Sequence, residues 1–181
     1  KEDPDWSPRI YCGLGKTLRL VDELDNAIPI LKEGYQLNPH NVPLMQELAQ
    51  AYREAGQTEK ALAAAQAVYE RELDNPTTLA WIADFAIDMK SPQFAVPVLN
   101  DLLSISPHES DHYLKLARAY RMEGDEYQAV KAYKDLIHLE NPSPEALLEA
   151  GNQLIQLDHV DAAVTGLHKA VQICEVNQTV N

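Results

Sequence analysis

The feature that most constrains this chain is a repeat of 34 residues that needs no insertion or deletion across five copies. Starting at Pro8, the next copies begin at Val42, Pro76, Ser110 and Pro144. Fixed-period self-similarity on this scale points to stacked supersecondary units, each covering the apolar face of its neighbour.

The columns of the repeat say what the unit is. Column twenty reads Ala27, Ala61, Ala95, Ala129 and Ala163, and column eight reads Gly15, Ala49, Ala83, Ala117 and Gly151. Columns four, seven, eight and eleven lie three or four residues apart, so they share one face of a first helix. Columns twenty, twenty-four and twenty-seven do the same for a second helix. Small residues at columns eight and twenty let the two helices approach closely. Larger ones such as Leu31, Leu48, Leu99 and Tyr133 fill the remaining gaps.

Helix ends follow the same period. The residue before each copy is Ser7, Asn41, Asn75, Glu109 or Ser143, and four of these five are good N-caps. Pro8, Pro76 and Pro144 then fall at the first helical position, where proline costs least. Gly56 and Gly124 suit the turn that closes the first helix, where the other copies carry Asp22, Lys90 and Asp158. Pro29 and Pro97 fall inside the second helices of copies one and three, so each is expected to bend or shorten its helix.

The pattern of a large residue, Leu-Gly, an aromatic, an alanine and a late proline resembles the tetratricopeptide repeat. Tyr11, Leu14, Gly15, Ala27 and Pro39 carry it in the first copy, Met45, Leu48, Ala49, Tyr52 and Ala61 in the second, and Tyr113, Leu116, Ala117, Tyr120 and Ala129 in the fourth. The late proline survives only as Pro39 and Pro107, with Leu73, Asn141 and Glu175 in its place elsewhere. The resemblance implies an all-α, right-handed superhelical solenoid of five helix-turn-helix repeats. The expected array spans 8–175, as repeats 8–41, 42–75, 76–109, 110–143 and 144–175. Segments 1–7 and 176–181 are expected to be remnants of neighbouring repeats, with Asn177 at a new cap position. No polar capping helix follows, so either the parent protein is longer or this end packs on a partner.

Composition narrows the function. The formal charge is −13, with 15 basic against 28 acidic residues, which disfavours binding to nucleic acid, where cations must replace the counterions of phosphate. The longest apolar runs are too short to span a bilayer, so no membrane insertion is expected. The two cysteines, Cys12 and Cys174, lie near opposite ends of the chain, too far apart for an internal bridge in an elongated array. Unpaired thiols fit a reducing compartment, hence the cytoplasm, with the bacterial periplasm as the alternative.

Three strings mimic chemistry. Gly13-Leu14-Gly15-Lys16-Thr17 looks like the end of a phosphate-binding loop, but Ile10 stands where the first glycine belongs and the string lies inside a helix. His108-Glu109-Ser110-Asp111-His112 matches a zinc-protease motif. That motif needs both histidines on one helix face, and the helix here is expected to begin only after His108. Asn177-Gln178-Thr179 is a sequon at a loose end. No nucleophile, metal or cofactor constellation emerges, and no enzymatic activity is expected.

The resemblance implies that ligands lie on the first helices, on columns two, five, six, nine, twelve and thirteen. Column nine is Lys16, Gln50, Asp84, Arg118 and Asn152, and column twelve includes Arg19, Arg53 and Arg121. With Arg9 and Lys115, seven of the chain's fifteen basic residues fall on this lining, along with Glu47, Asp88, Asp111, Glu145 and Glu149. Trp81, at column six, is the expected hot spot. The expected ligand is a protein or peptide with acidic groups and an apolar anchor. The plainer alternative packs Trp81 on Phe85 and pairs charges across copies, Asp84 with Arg118 for example. The carboxylate clamp of chaperone-binding relatives is not supported, because Cys12 and Lys16 stand at its lysine and asparagine positions and Glu47 replaces its second asparagine. The leading function is an adaptor or scaffold module. The alternatives are a self-assembling subunit, forming a homo-oligomer, and a docking or regulatory segment of a larger enzyme.

Overall fold

The computed structural model describes residues 6–179, with side-chain surroundings given for 7–175. Residues 1–5 of the expected remnant 1–7, and the last two residues of 176–181, lie outside this range, while Trp6 and Ser7 belong to the first helix. Among the described residues there are ten helices and no strand.

The chain divides into two compact units, Lys1–Leu73 and Asp74–Asn181. The first contains α1 (Trp6–Leu20), α2 (Leu24–Leu37), α3 (Val42–Glu54) and α4 (Thr58–Tyr69). The second contains α5 (Pro76–Asp88), α6 (Pro92–Ile105), α7 (Ser110–Glu123), α8 (Glu126–His138), α9 (Pro144–Gln156) and α10 (Val160–Thr179). Consecutive odd and even helices pair as antiparallel hairpins. Within the first unit α2 packs on α3, and within the second α6 packs on α7 and α8 on α9.

Each core follows the columns. Every alanine of column twenty is fully buried, from Ala27 to Ala163. Column eight is buried in all five hairpins. A Cβ added at Gly15 would lie 2.3 Å from the Leu31 side chain, so here the glycine is what lets α1 approach α2. Burial of leucines such as Leu79, Leu99 and Leu147 is worth about 1.5–3 kcal/mol each and drives the hairpins together.

The caps come out unevenly. Asn41, Asn75 and Ser143 each accept hydrogen bonds from backbone N–H groups in the first turn of α3, α5 and α9. Glu109 makes no such bond, and Ser7 lies inside α1, which starts at Trp6. The chain leaves the first helix of every hairpin through a left-handed residue at column fifteen: Asp22 (φ 63°), Gly56 (69°), Lys90 (53°), Gly124 (81°) and Asp158 (60°). Pro29 and Pro97 do not shorten their helices. α2 and α6 both run 14 residues, against 12 for α4 and 13 for α8. Each proline is exposed and sits four residues after an exposed one, Asp25 or Gln93, whose freed carbonyl faces water.

Polar ties join neighbouring hairpins. The Ser143 N–H donates to Ser110 Oγ (3.0 Å). Lys169 donates to the carbonyls of Ile137 (2.8 Å) and Leu139 (2.6 Å), satisfying the end of α8. At the C-terminus, α10 continues unbroken through Asn177, so the expected new cap there is replaced by helix.

Candidate functional site

The candidate residues divide between the units. Arg9, Lys16, Arg19, Gln50 and Arg53 belong to the first, and Trp81, Asp84, Lys115, Arg118, Arg121 and Asn152 to the second. All stand on odd-numbered helices, the first helix of each hairpin.

In the first unit, Arg19 bonds Glu47 (3.1 Å) and Glu54 (2.6 Å), and its side chain is largely buried by them. Lys16 stands 3.9 Å from the same Glu47. Arg9 is exposed, Arg53 and Gln50 are half-buried, and the Gln50 Oε1 is buried without a hydrogen-bond partner among the described residues. Burial and the Glu47 charge together push the Cys12 thiol above its ordinary range, against the opposing pull of Lys16.

In the second unit a polar ladder crosses three helices. Lys115 on α7 reaches Asp84 on α5 (2.6 Å) and Asp111 on its own helix (2.8 Å). Burial pulls the Lys115 ammonium down, but the bonds to Asp111 and Asp84 outweigh it and its pKa is raised. Arg118 on α7 binds Glu149 on α9 (2.5 Å), which raises its pKa against the cost of burial. Arg121 donates to Gln153, also on α9. Asn152 is exposed. Trp81 is half-buried rather than exposed and stacks on Phe85, with centroids 5.2 Å apart and planes at 30°. Beneath the ladder lies Tyr133, fully buried, its hydroxyl unpartnered and its pKa raised by burial.

Two corrections follow. Asp84 pairs with Lys115 and not with Arg118. The basic residues are also mostly engaged by carboxylates instead of presenting free positive spots. Sequence reasoning placed Glu47 and Glu149 on this lining but missed their pairing with Arg19 and Arg118, and missed Glu54 and Gln153 altogether. The signal was present: Lys16 with Glu47, Asp84 with Lys115 and Arg118 with Glu149 are all opposite charges 31 residues apart. That is one repeat less one helical turn, because adjacent first helices meet one turn out of register.

The motif mimics resolve by position. Gly13 to Thr17 lies within α1, where the Thr17 hydroxyl donates to the Gly13 carbonyl (2.9 Å). α7 begins at Ser110, so His108 sits in the preceding turn and only His112 is on the helix. Among the described residues no group of three or more His, Cys, Asp or Glu side chains is placed to hold a metal, and no helix is long and apolar enough to cross a membrane.

Two tetratricopeptide-repeat family models match, one over residues 21–78 and one over 113–140. The helices and the buried alanines of column twenty, Ala27, Ala61 and Ala129, lie on the same segments. These two segments are similar to tetratricopeptide repeats. Solved structures share the fold. A MamA protein superposes with a TM-score of 0.67 at 21% identity over 92% of this chain and 91% of its own. MamA from Desulfovibrio magneticus RS-1 gives 0.66 at 15%, covering 94% and 96%. YrrB, described as a TPR protein with an unusual peptide-binding site, gives 0.61 at 15%, covering 90% and 84%. No curated protein sequence matches the chain. At these identities the likeness of the chain to its neighbours is one of fold.

Proposed function

We propose that this chain is a protein-interaction module that binds a peptide or partner protein along the first helices of its hairpins, as an adaptor or scaffold and without a catalytic step. The description of YrrB as carrying a peptide-binding site supports a ligand of that kind on this fold. The observation that carries the reading is Arg121. It is exposed, and its partner in the ladder is the neutral Gln153, so no described carboxylate neutralises it. Arg118, beside it on α7, keeps about half its side chain exposed while bound to Glu149. A ligand carboxylate gains most at Arg121 and can share Arg118. Trp81, braced by Phe85, offers a rigid half-open ring for an apolar side chain on the same family of helices. The ligand is therefore a peptide with acidic groups and one bulky apolar residue. The mixed face of the first unit, with Arg9, Lys16, Arg19, Gln50 and Arg53, is a separate and weaker candidate, since Arg19 is already held by two carboxylates.

The test is selection of a random peptide display library on the immobilised chain, followed by titration of the enriched peptides. Peptides rich in Asp or Glu with a single aromatic or leucine are expected. Trp81→Ala and Arg121→Glu should each weaken binding about 10-fold or more with unchanged helicity. Equal affinity for both variants and the parent chain removes this face from consideration.

A further inference from the structure

Within each unit, neighbouring first helices meet through ion pairs. Column nine of one meets column six of the next as Lys16 with Glu47 (3.9 Å), Asp84 with Lys115 (2.6 Å) and Arg118 with Glu149 (2.5 Å). Column twelve carries an arginine on α1 and another on α7, and the two are held differently. Arg19 is bonded by two carboxylates, Glu47 and Glu54. Arg121 is bonded by a carboxamide, that of Gln153.

The difference is written into α9. The column that supplies Glu54 on α3 is Gln156 on α9, and the polar residues of the last two turns of α9 are Asn152, Gln153 and Gln156. On a chain with 28 acidic residues, these three are all amides. Glu149, one turn earlier on α9, is engaged by Arg118, which contacts it through both Nε (3.0 Å) and Nη2 (2.5 Å). No described carboxylate bonds Arg121.

The two arginines therefore differ in what a new carboxylate would gain. A hydrogen bond between two charged groups is about twice as strong as one to a neutral acceptor. A carboxylate can also take two N–H groups of the guanidinium fork at once, whereas the amide offers a single oxygen. At Arg121 the newcomer displaces a neutral acceptor and gains. At Arg19 it would displace carboxylates and gain nothing. Gln153 is half-buried, so its freed amide can turn to water.

We infer that Gln153 is the specificity-determining residue of this face: a neutral stand-in that holds Arg121 towards α9 and gives way to a ligand carboxylate. A glutamate there would fill the place from within and close it. The inference rests on the reading of these helices as a binding face, but its test does not need a peptide.

The probe is N-acetylglutamate α-amide, which carries one carboxylate, with N-acetylglutamine α-amide as its neutral control. Heteronuclear NMR of the arginine Nε–Hε groups reads each guanidinium, and Arg121→Lys and Arg19→Lys assign the two signals. In the parent chain the carboxylate probe should shift the Arg121 signal saturably. The neutral control should not, and the Arg19 signal should stay still. Gln153→Glu should abolish the shift with unchanged helicity and equal or higher stability, because an ion pair replaces the amide bond. Gln153→Ala should keep the shift at equal or lower probe concentration, because nothing has to be displaced. A residue that only ties α7 to α9 would alter stability in both variants and probe binding in neither. An Arg121 signal that ignores the probe in the parent overturns the inference. So does one that moves equally with both compounds, still moves in Gln153→Glu, or stops moving in Gln153→Ala. An Arg19 signal that moves as far as that of Arg121 overturns it as well.

The peptide reading is judged apart. Acidic peptides from the display selection should bind Gln153→Glu about 10-fold or more weakly than the parent. If no peptide is enriched while the probe behaves as described, the peptide reading falls and the role of Gln153 stands. If peptides bind the parent and Gln153→Glu alike but lose affinity for Arg121→Glu, the peptide reading stands and the role of Gln153 falls.

Discussion

Column fifteen shows how much a single residue is asked to tolerate. All five hairpins turn through a left-handed backbone there, yet only two supply glycine. That conformation costs an L-residue about 1–2 kcal/mol, less for Asp and Asn, whose short side chains bond locally. Lys90 has no such relief. Lys90→Gly should therefore stabilise the chain by up to about 1 kcal/mol after the extra entropy of the unfolded glycine is subtracted. Asp22→Gly and Asp158→Gly should gain less, and urea unfolding midpoints give the ranking. Gly124→Ala runs the comparison in reverse and should lose about 1 kcal/mol. Cysteine chemistry is equally local. Cys12 is half-buried with its thiol pushed up by burial and Glu47, while Cys174 is exposed. Near neutral pH, iodoacetamide should label Cys174 well before Cys12, since the thiolate is the nucleophile. Glu47→Gln should speed labelling of Cys12, and Lys16→Ala should slow it. Equal rates in the folded chain would show that Cys12 is not shielded.

Between helices, the deciding quantity is how closely backbones approach. A Cβ on Gly34 would lie 2.5 Å from the Cβ of Tyr11, an atom that cannot swing away. Gly34→Ala gains about 1 kcal/mol of helix propensity but forces α1 off α2, at a typical overpacking cost of about 1–3 kcal/mol. A net loss of stability is expected by thermal unfolding, larger for Gly34→Leu even though leucine occupies the same column in α6 and α8. This also marks what the sequence could reveal. Alanine at column twenty is legible because close approach there permits nothing larger in any hairpin. Column twenty-seven varies from Gly34 to Leu136, and the closeness of Tyr11 that singles out Gly34 is not visible in that column alone. The helices, their pairing and most caps follow from period and residue type. Ser7 does not cap, since α1 begins one residue before it. Pro29 and Pro97 do not truncate, since their lost bonds fall on the wet side. On the candidate face the basic residues were legible by column. Their neutralisation was not, because reading opposite charges at 34-residue steps misses partners that stand at 31.

For the molecule as a whole, local pairing and global repulsion act in opposite directions. The second-unit ladder has a pH signature. The raised Lys115 value means that its contribution to stability is fully present below the ordinary lysine value of 10.5 and is lost as pH climbs through the higher folded value. Through the neutral range this term is constant, so salt can be varied there without disturbing it. At neutral pH the chain carries 28 acidic against 15 basic residues, and compaction brings the excess of like charge together. The pairs that offset this, Arg19 with Glu47 and Glu54 and Lys115 with Asp84, hold cations that are largely covered, and salt screens such pairs less than exposed charge. Repulsion among exposed carboxylates should therefore fade first as salt is added. Raising sodium chloride from about 10 mM to about 0.3 M shortens the Debye length from about 30 Å to well under 10 Å. The unfolding midpoint should rise by a few degrees, since about 1 kcal/mol moves the midpoint of a chain this size by about 2–4 °C. A midpoint that falls with salt would mean that the ion pairs between first helices outweigh the net charge, and that the ladder is a principal tie between α5, α7 and α9.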